Sequence, residues 1–108
     1  MVDLPILPPI VKVKNKTTPI PKNYKLSQNY PNPFNPTTTI NFSIPNGSKV
    51  RLRVYDVLGR EVSSLVNSYL PGGNYSYQFN GKGLSSGVYF YKLTTDEFSA
   101  VKKLNLLK

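Results

Sequence analysis

The sequence predicts an all-β protein, an antiparallel sandwich of about seven strands, and three observations predict it. Short runs of alternating apolar and polar residues recur at the roughly 8 to 12 residue spacing of such sandwiches. Turn-forming groups divide them: Pro45-Asn46-Gly47, Asp56-Val57-Leu58-Gly59, Pro71-Gly72-Gly73 and Asn80-Gly81. No stretch holds an apolar period of 3.6 residues, so no helix is predicted.

Residues 1–23 mix proline, lysine and β-branched residues without a lasting period. They read as an extended, partly polyproline linker, in which Val11, Val13 and Ile20 leave room for one short edge strand. The domain proper is read as 24–108. Its first segment, Tyr24 to Asn29, runs into Pro31, Pro33 and Pro36, three positions with no N–H for a ladder. Such a chain belongs at a sheet edge or crosses between sheets.

Thr38 to Ile44 sets Ile40, Phe42 and Ile44 on one face, and Lys49 to Tyr55 sets Val50, Leu52 and Val54 inward with Arg51, Arg53 and Tyr55 outward. Asp56 to Gly59 fits a type I turn, or a turn with a glycine bulge, making a hairpin with Arg60 to Asn67. Asn74 to Phe79 aligns Tyr75, Tyr77 and Phe79. Gly87 opens Val88 to Thr94, and the last strand runs from Phe98 to about Leu106. Its alternation falters at Lys102-Lys103, which predicts a bulge or an edge position. The architecture is immunoglobulin-like, with a closed barrel as the structural alternative. The buried Trp and paired Cys of antibody domains are missing, so only the architecture carries over.

Composition narrows the chemistry. The 108 residues contain no His, Cys or Trp, and the only acids are Asp3, Asp56, Glu61, Asp96 and Glu97. Metal sites and nucleophile–base pairs lack their usual residues, so no enzyme activity, metal or cofactor is expected. Asp56 reads as a turn residue that caps backbone N–H groups, and Asp96-Glu97 as another turn. The formal net charge of +9 permits attraction to nucleic acid, to anionic lipid A or to lipopolysaccharide phosphates, but a solvated sheet face is the favoured reading and no specific nucleic-acid partner is expected. No apolar run approaches the about 20 residues that span a bilayer.

Four motifs remain: Gln28 to Pro36 (QNYPNPFNP), Tyr55 to Val62 (YDVLGREV), Ser86 to Leu93 (SGVYFYKL) and the basic Lys102 to Lys108 (KKLNLLK). In this order and spacing they resemble the type A C-terminal sorting domain of the type IX secretion system, which is related to the immunoglobulin-like part of flagellar hook-capping proteins. The resemblance implies a label on a fused N-terminal cargo. The cargo passes through the periplasm and an outer-membrane translocon to the cell surface or the medium, and a sortase-like peptidase can cut ahead of the domain and attach a surface anchor. It implies sorting-signal residues at Pro31, Asn32, Pro33 and Phe34, at Gly59 and Arg60, at Gly87 and Tyr89, and at Lys102, Lys103 and Lys108. Most of these also have structural explanations as turn, crossover or core residues, and lysines on a last strand also blunt an exposed edge.

The start of the chain has Asp3 and several prolines where a secretory leader needs a basic end and an unbroken apolar run. A leader is therefore expected on a longer parent chain, unless Met1 is a cloning boundary. Two other readings compete. One is an accessory module gripping polysaccharide through a row of exposed aromatics among Tyr69, Tyr75, Tyr77 and Tyr91; the other is a flagellar or scaffold subunit that assembles with itself or a rod partner.

Overall fold

The computed structural model describes residues 20–108, and the linker expected over 1–23 lies outside them except for its last four residues. Seven strands follow in order: β1 (Lys25–Leu26), β2 (Thr37–Ile44), β3 (Ser48–Tyr55), β4 (Glu61–Leu70), β5 (Gly73–Asn80), β6 (Gly87–Thr94) and β7 (Ser99–Leu106). They form two antiparallel sheets, one ordered β1-β2-β5 and the other β4-β3-β6-β7. The sandwich is formed and the barrel is not. In constant-type immunoglobulin domains the fourth strand lies in the sheet of the first, second and fifth; here it edges the other sheet.

Alternation explains the core. Ile40, Phe42 and Ile44 of β2 meet Val50, Leu52 and Val54 of β3, Phe79 of β5, Tyr89, Tyr91 and Leu93 of β6, and Leu104 and Leu106 of β7, all buried. Side chains of period two from both sheets fill one layer between them. Tyr75 and Tyr77 flank Phe42 with ring centroids 5.3 and 5.9 Å away, and both are half-buried on the inner face.

Two boundaries differ by more than one residue from expectation. The first segment forms only a two-residue strand, because the chain leaves its sheet at Ser27 to begin the proline-rich crossing. β4 extends to Leu70, since Ser68, Tyr69 and Leu70 find partners in Val50, Lys49 and Ser48. Two register shifts in the β3–β4 ladder twist this edge. The faltering at Lys102-Lys103 marks an edge without a bulge: the β6–β7 register runs unbroken from Gly87↔Leu106 to Thr94↔Ser99.

Candidate functional site

The opening motif crosses from one sheet to the other and fastens onto the last strand. Before the crossing, Ser27 donates its N–H to Asn41 O at 3.0 Å, and Tyr30 exchanges two backbone bonds of 3.0 Å with Thr39. At Phe34 the partner changes: Phe34 N donates to Asn105 O and Leu107 N to Phe34 O, both at 2.9 Å. Phe34 thus bridges in parallel to Leu106. Asn105 N also donates to Asn32 Oδ1 at 3.0 Å, and Gln28 Nε2 donates to the Lys103 carbonyl at 2.7 Å. Together these bonds cover the outer side of β7 from Lys103 to Leu107.

The crossing holds because its polar groups find partners that the prolines cannot supply. Asn29, 2% exposed, donates to Thr38 Oγ1 at 3.0 Å and to Pro31 O at 3.2 Å, and the Thr38 hydroxyl donates to the same carbonyl at 2.8 Å. The Tyr30–Pro31, Asn32–Pro33 and Asn35–Pro36 peptides are cis. Pro31, Asn32 and Pro33 are exposed, whereas Phe34 enters the core edge-on to Phe79 at 5.9 Å. Tyr91 reaches the crossing from β6 and donates its hydroxyl to Ser27 O at 2.6 Å. Burial pushes its pKa up to about 12, opposed by the backbone amide of Asn29.

The second motif is the β3–β4 turn. Gly59 N donates to Asp56 O at 3.0 Å and Asp56 N to Arg60 O at 3.0 Å, with Gly59 at φ +82°. This is the type I turn with its glycine bulge, and the positive φ favours glycine there. Asp56 Oδ1 accepts from the amides of Leu58 and Arg60, and Arg60 Nε donates to Asp56 Oδ2 at 2.8 Å. The Arg60 amide, assisted by its guanidinium and by the Leu58 amide, holds the Asp56 carboxyl below the usual range despite some desolvation. Asp56 is thereby committed to the turn.

In the third motif, Gly87 opens β6 at φ +147°, and Tyr89 lies in the core with its hydroxyl donating to Ser85 O at 2.7 Å. The fourth motif supplies Leu104 and Leu106 to the core. Its lysines do not cluster: Lys102 is half-buried on the inner face opposite Tyr91, Lys103 is exposed on the opposite face, and Lys108 is exposed beyond the strand.

All four motifs meet at one end of the sandwich. One shallow depression is lined by Asp56 to Leu58, Arg60 and Ser85 to Tyr89; the next is lined by Pro33, Ser86 to Val88 and Asn105 to Leu107. They share Ser86, Gly87 and Val88. Apolar side chains stand exposed around them, Val57 at 66%, Leu58 at 73% and Leu107 at 55%. Arg60 and Gly59 therefore lie near Gly87 and Pro33, while Lys102 and Lys103 lie farther along β7.

Sequence reasoning missed Gln28, Asn29 and Thr38 as parts of this arrangement. The available signal was an amide beside a run of prolines, where orphan carbonyls need a side-chain donor. The polysaccharide-gripping row is not formed, since Tyr91 is buried and Tyr75 and Tyr77 face inward, leaving only Tyr69 of that set exposed. Among the described residues no helix is long and apolar enough to cross a membrane.

No curated protein matches this chain. The family model described as the secretion system C-terminal sorting domain matches residues 28–106, a span that begins at the crossing and ends on β7. With most of its length matched, and with the motifs gathered at one end of an all-β sandwich, the chain belongs to the secretion system C-terminal sorting domain family and is a sorting signal for type IX secretion.

Proposed function

We propose that the secretion machinery reads this label as a folded unit, at the end of the sandwich where Pro33, the 56–60 turn, Gly87-Val88 and Leu107 meet. A linear basic tail is the weaker reading, because Lys102 and Lys103 diverge to opposite faces of β7. The observation that carries the proposal is the clasp of Gln28 to Phe34 on Lys103 to Leu107, which brings motifs from both ends of the domain onto one surface. The exposed apolar side chains there suit a protein partner. In this reading the translocon is that partner, and recognition precedes the passage of the cargo through the outer membrane.

The clasp also limits strand addition. Asn105 uses both its outward groups and Lys103 its carbonyl on the crossing, so among the described residues β7 is left open only from Ser99 to the Lys103 amide. A sortase-like peptidase, acting after translocation, cuts between Lys12 and Asn23. A cut there leaves the described strands whole, as the first paired residue among the described ones is Lys25. Mass spectrometry of released cargo tests this; cargo that retains residues 12–23 would overturn it.

The reading of the label is tested with a leader peptide and a fluorescent reporter fused ahead of residues 1–108, in a host with a working type IX system and in its translocon mutant. Deleting Lys102 to Lys108 is a poor probe, because it removes Leu104 and Leu106 from the core. The informative variants are Val57→Ser, Leu58→Ser and Leu107→Ser, whose side chains are exposed. The fusion should be exported only by the intact host, and the combined variant should fold yet stay in the periplasm. Export of the folded variant at the wild-type level would sink the proposal.

A further inference from the structure

The two outer faces of the sandwich differ in charge. Among the described residues, the three-stranded sheet presents threonine, serine, asparagine and glutamine side chains with one cation, Lys25. Among the same residues the four-stranded sheet presents Lys49, Arg51 and Arg53 from β3, Lys92 from β6 and Lys103 from β7, against one acid, Glu61. The alternation that buries Val50, Leu52 and Val54 forces the intervening β3 cations outward together.

Register brings them close. Arg53 stands directly opposite Lys92, which in turn stands opposite Val101, two residues before Lys103. Strands lie about 4.8 Å apart and alternate residues about 7 Å apart along a strand, so neighbouring cations fall within a Debye length at physiological salt. They act as one field. An Arg facing a Lys across a ladder is unfavourable in the free domain. Glu61 relieves it little: its Oε1 lies 3.6 Å from Arg53 Nε, and that nitrogen has no hydrogen-bond partner.

We propose that this face is a docking surface for an anionic phospholipid bilayer. The surface is one side of a four-stranded sheet, its cations are spread over three strands rather than lining a groove, and Val101, 55% exposed, stands among them as a shallow apolar contact. Guanidinium and ammonium groups both donate hydrogen bonds to phosphate oxygens. A single nucleic-acid strand fits less well, because it needs a row of open aromatic platforms: Tyr69, opposite Lys49, is exposed, but Tyr55 and Phe90, amid the other cations, are half-buried. The proposal is independent of how the translocon reads the motif end, since none of these cations lines the depressions there, although Lys92 and Lys103 belong to the third and fourth motifs. It gives a chain bound for the outer membrane a way to search along a membrane surface.

The test is co-sedimentation of the 108-residue chain with vesicles of phosphatidylcholine alone or mixed with phosphatidylglycerol, at low and high salt. Binding is expected only to the phosphatidylglycerol vesicles and should fall with salt. Each cation near an anionic surface contributes about fivefold, the ratio equivalent to about 1 kcal/mol. The triple variant Arg51→Gln, Lys92→Gln, Lys103→Gln should therefore bind roughly a hundredfold more weakly, while Lys25→Gln with Lys82→Gln binds like the parent. Thermal melts verify that each variant folds, and the double variant Lys92→Gln, Lys103→Gln serves if the triple does not. Unchanged binding by the folded variant would overturn the proposal. So would complete competition by inorganic phosphate, which would point to a free-anion site, or tighter binding to a single-stranded oligonucleotide.

Discussion

Replacing Phe34 with alanine isolates the packing half of the clasp. The hydrogen bonds that join residue 34 to Asn105 and Leu107 come from its backbone and survive any side-chain change. The ring, 1% exposed and set edge-on against Phe79, does not. Removing a buried phenylalanine ring costs about 3 to 5 kcal/mol. A domain of this size has about 4 to 13 kcal/mol in total, at 0.05 to 0.15 kcal/mol per residue. The loss is thus between about a quarter and the whole of the stability, and in a melt it lowers Tm by roughly 12 to 40 °C. Phe34→Leu, which keeps most of the volume, should cost about 1 to 2 kcal/mol. Urea denaturation gives the free energies, and the exposed neighbour Asn35→Ala, expected within about 0.5 kcal/mol of the parent, serves as control. Amide exchange at Leu107, whose N–H donates to Phe34 O, reports whether the clasp itself opens. If Phe34→Ala lost less than about 1 kcal/mol and Leu107 stayed protected, the ring would not be what holds the crossing.

Other predictions concern pH, the turn and the cationic face. With its pKa raised to about 12, Tyr91 contributes stability that is complete below its unfolded pKa of about 10 and is lost as pH rises through the folded value, a loss of about 3 kcal/mol. Tyr91→Phe should flatten the alkaline limb of stability against pH; a limb as steep as the parent's would place the cause elsewhere. Gly59→Ala, at φ +82°, should cost about 1 to 2 kcal/mol in urea denaturation, and Gly59→Asn less. Lys92→Thr removes the like charge opposite Arg53 and should stabilise the domain by about 0.2 to 1 kcal/mol at low salt, with the gain shrinking as salt is added.

What the sequence disclosed followed from local chemistry. Alternation at Ile40-Phe42-Ile44 and Val50-Leu52-Val54 made two central strands legible, because burying one face requires period two. Asp56 and Gly59 disclosed their turn for the same kind of reason. The prolines at 31, 33 and 36 announced a crossing by lacking N–H groups, and the crossing is there. They did not announce its destination: Asn32 meets Asn105 across 73 positions, and no local pattern encodes that pairing. Tyr75 and Tyr77 show the opposite limit. Alternation placed them on one face without saying which, and only the Phe42 stack between sheets identifies it as the inner one. The lysines of the last motif looked like a basic patch in the sequence, yet the same period-two rule sends Lys102 and Lys103 apart.

The clasp has a consequence in time. Its contacts link the first segment of the domain to the last strand, so they belong to the slowest class of contacts to form, those whose loops close last. Sandwiches dominated by such pairings fold in milliseconds to seconds, against microseconds for local structure. A newly made chain therefore spends an interval with its early hairpins formed and its motif end still open. If the folded motif end is what the secretion machinery reads, as proposed, export competence begins at clasp closure, and the folding rate of this small domain sets the shortest delay before export.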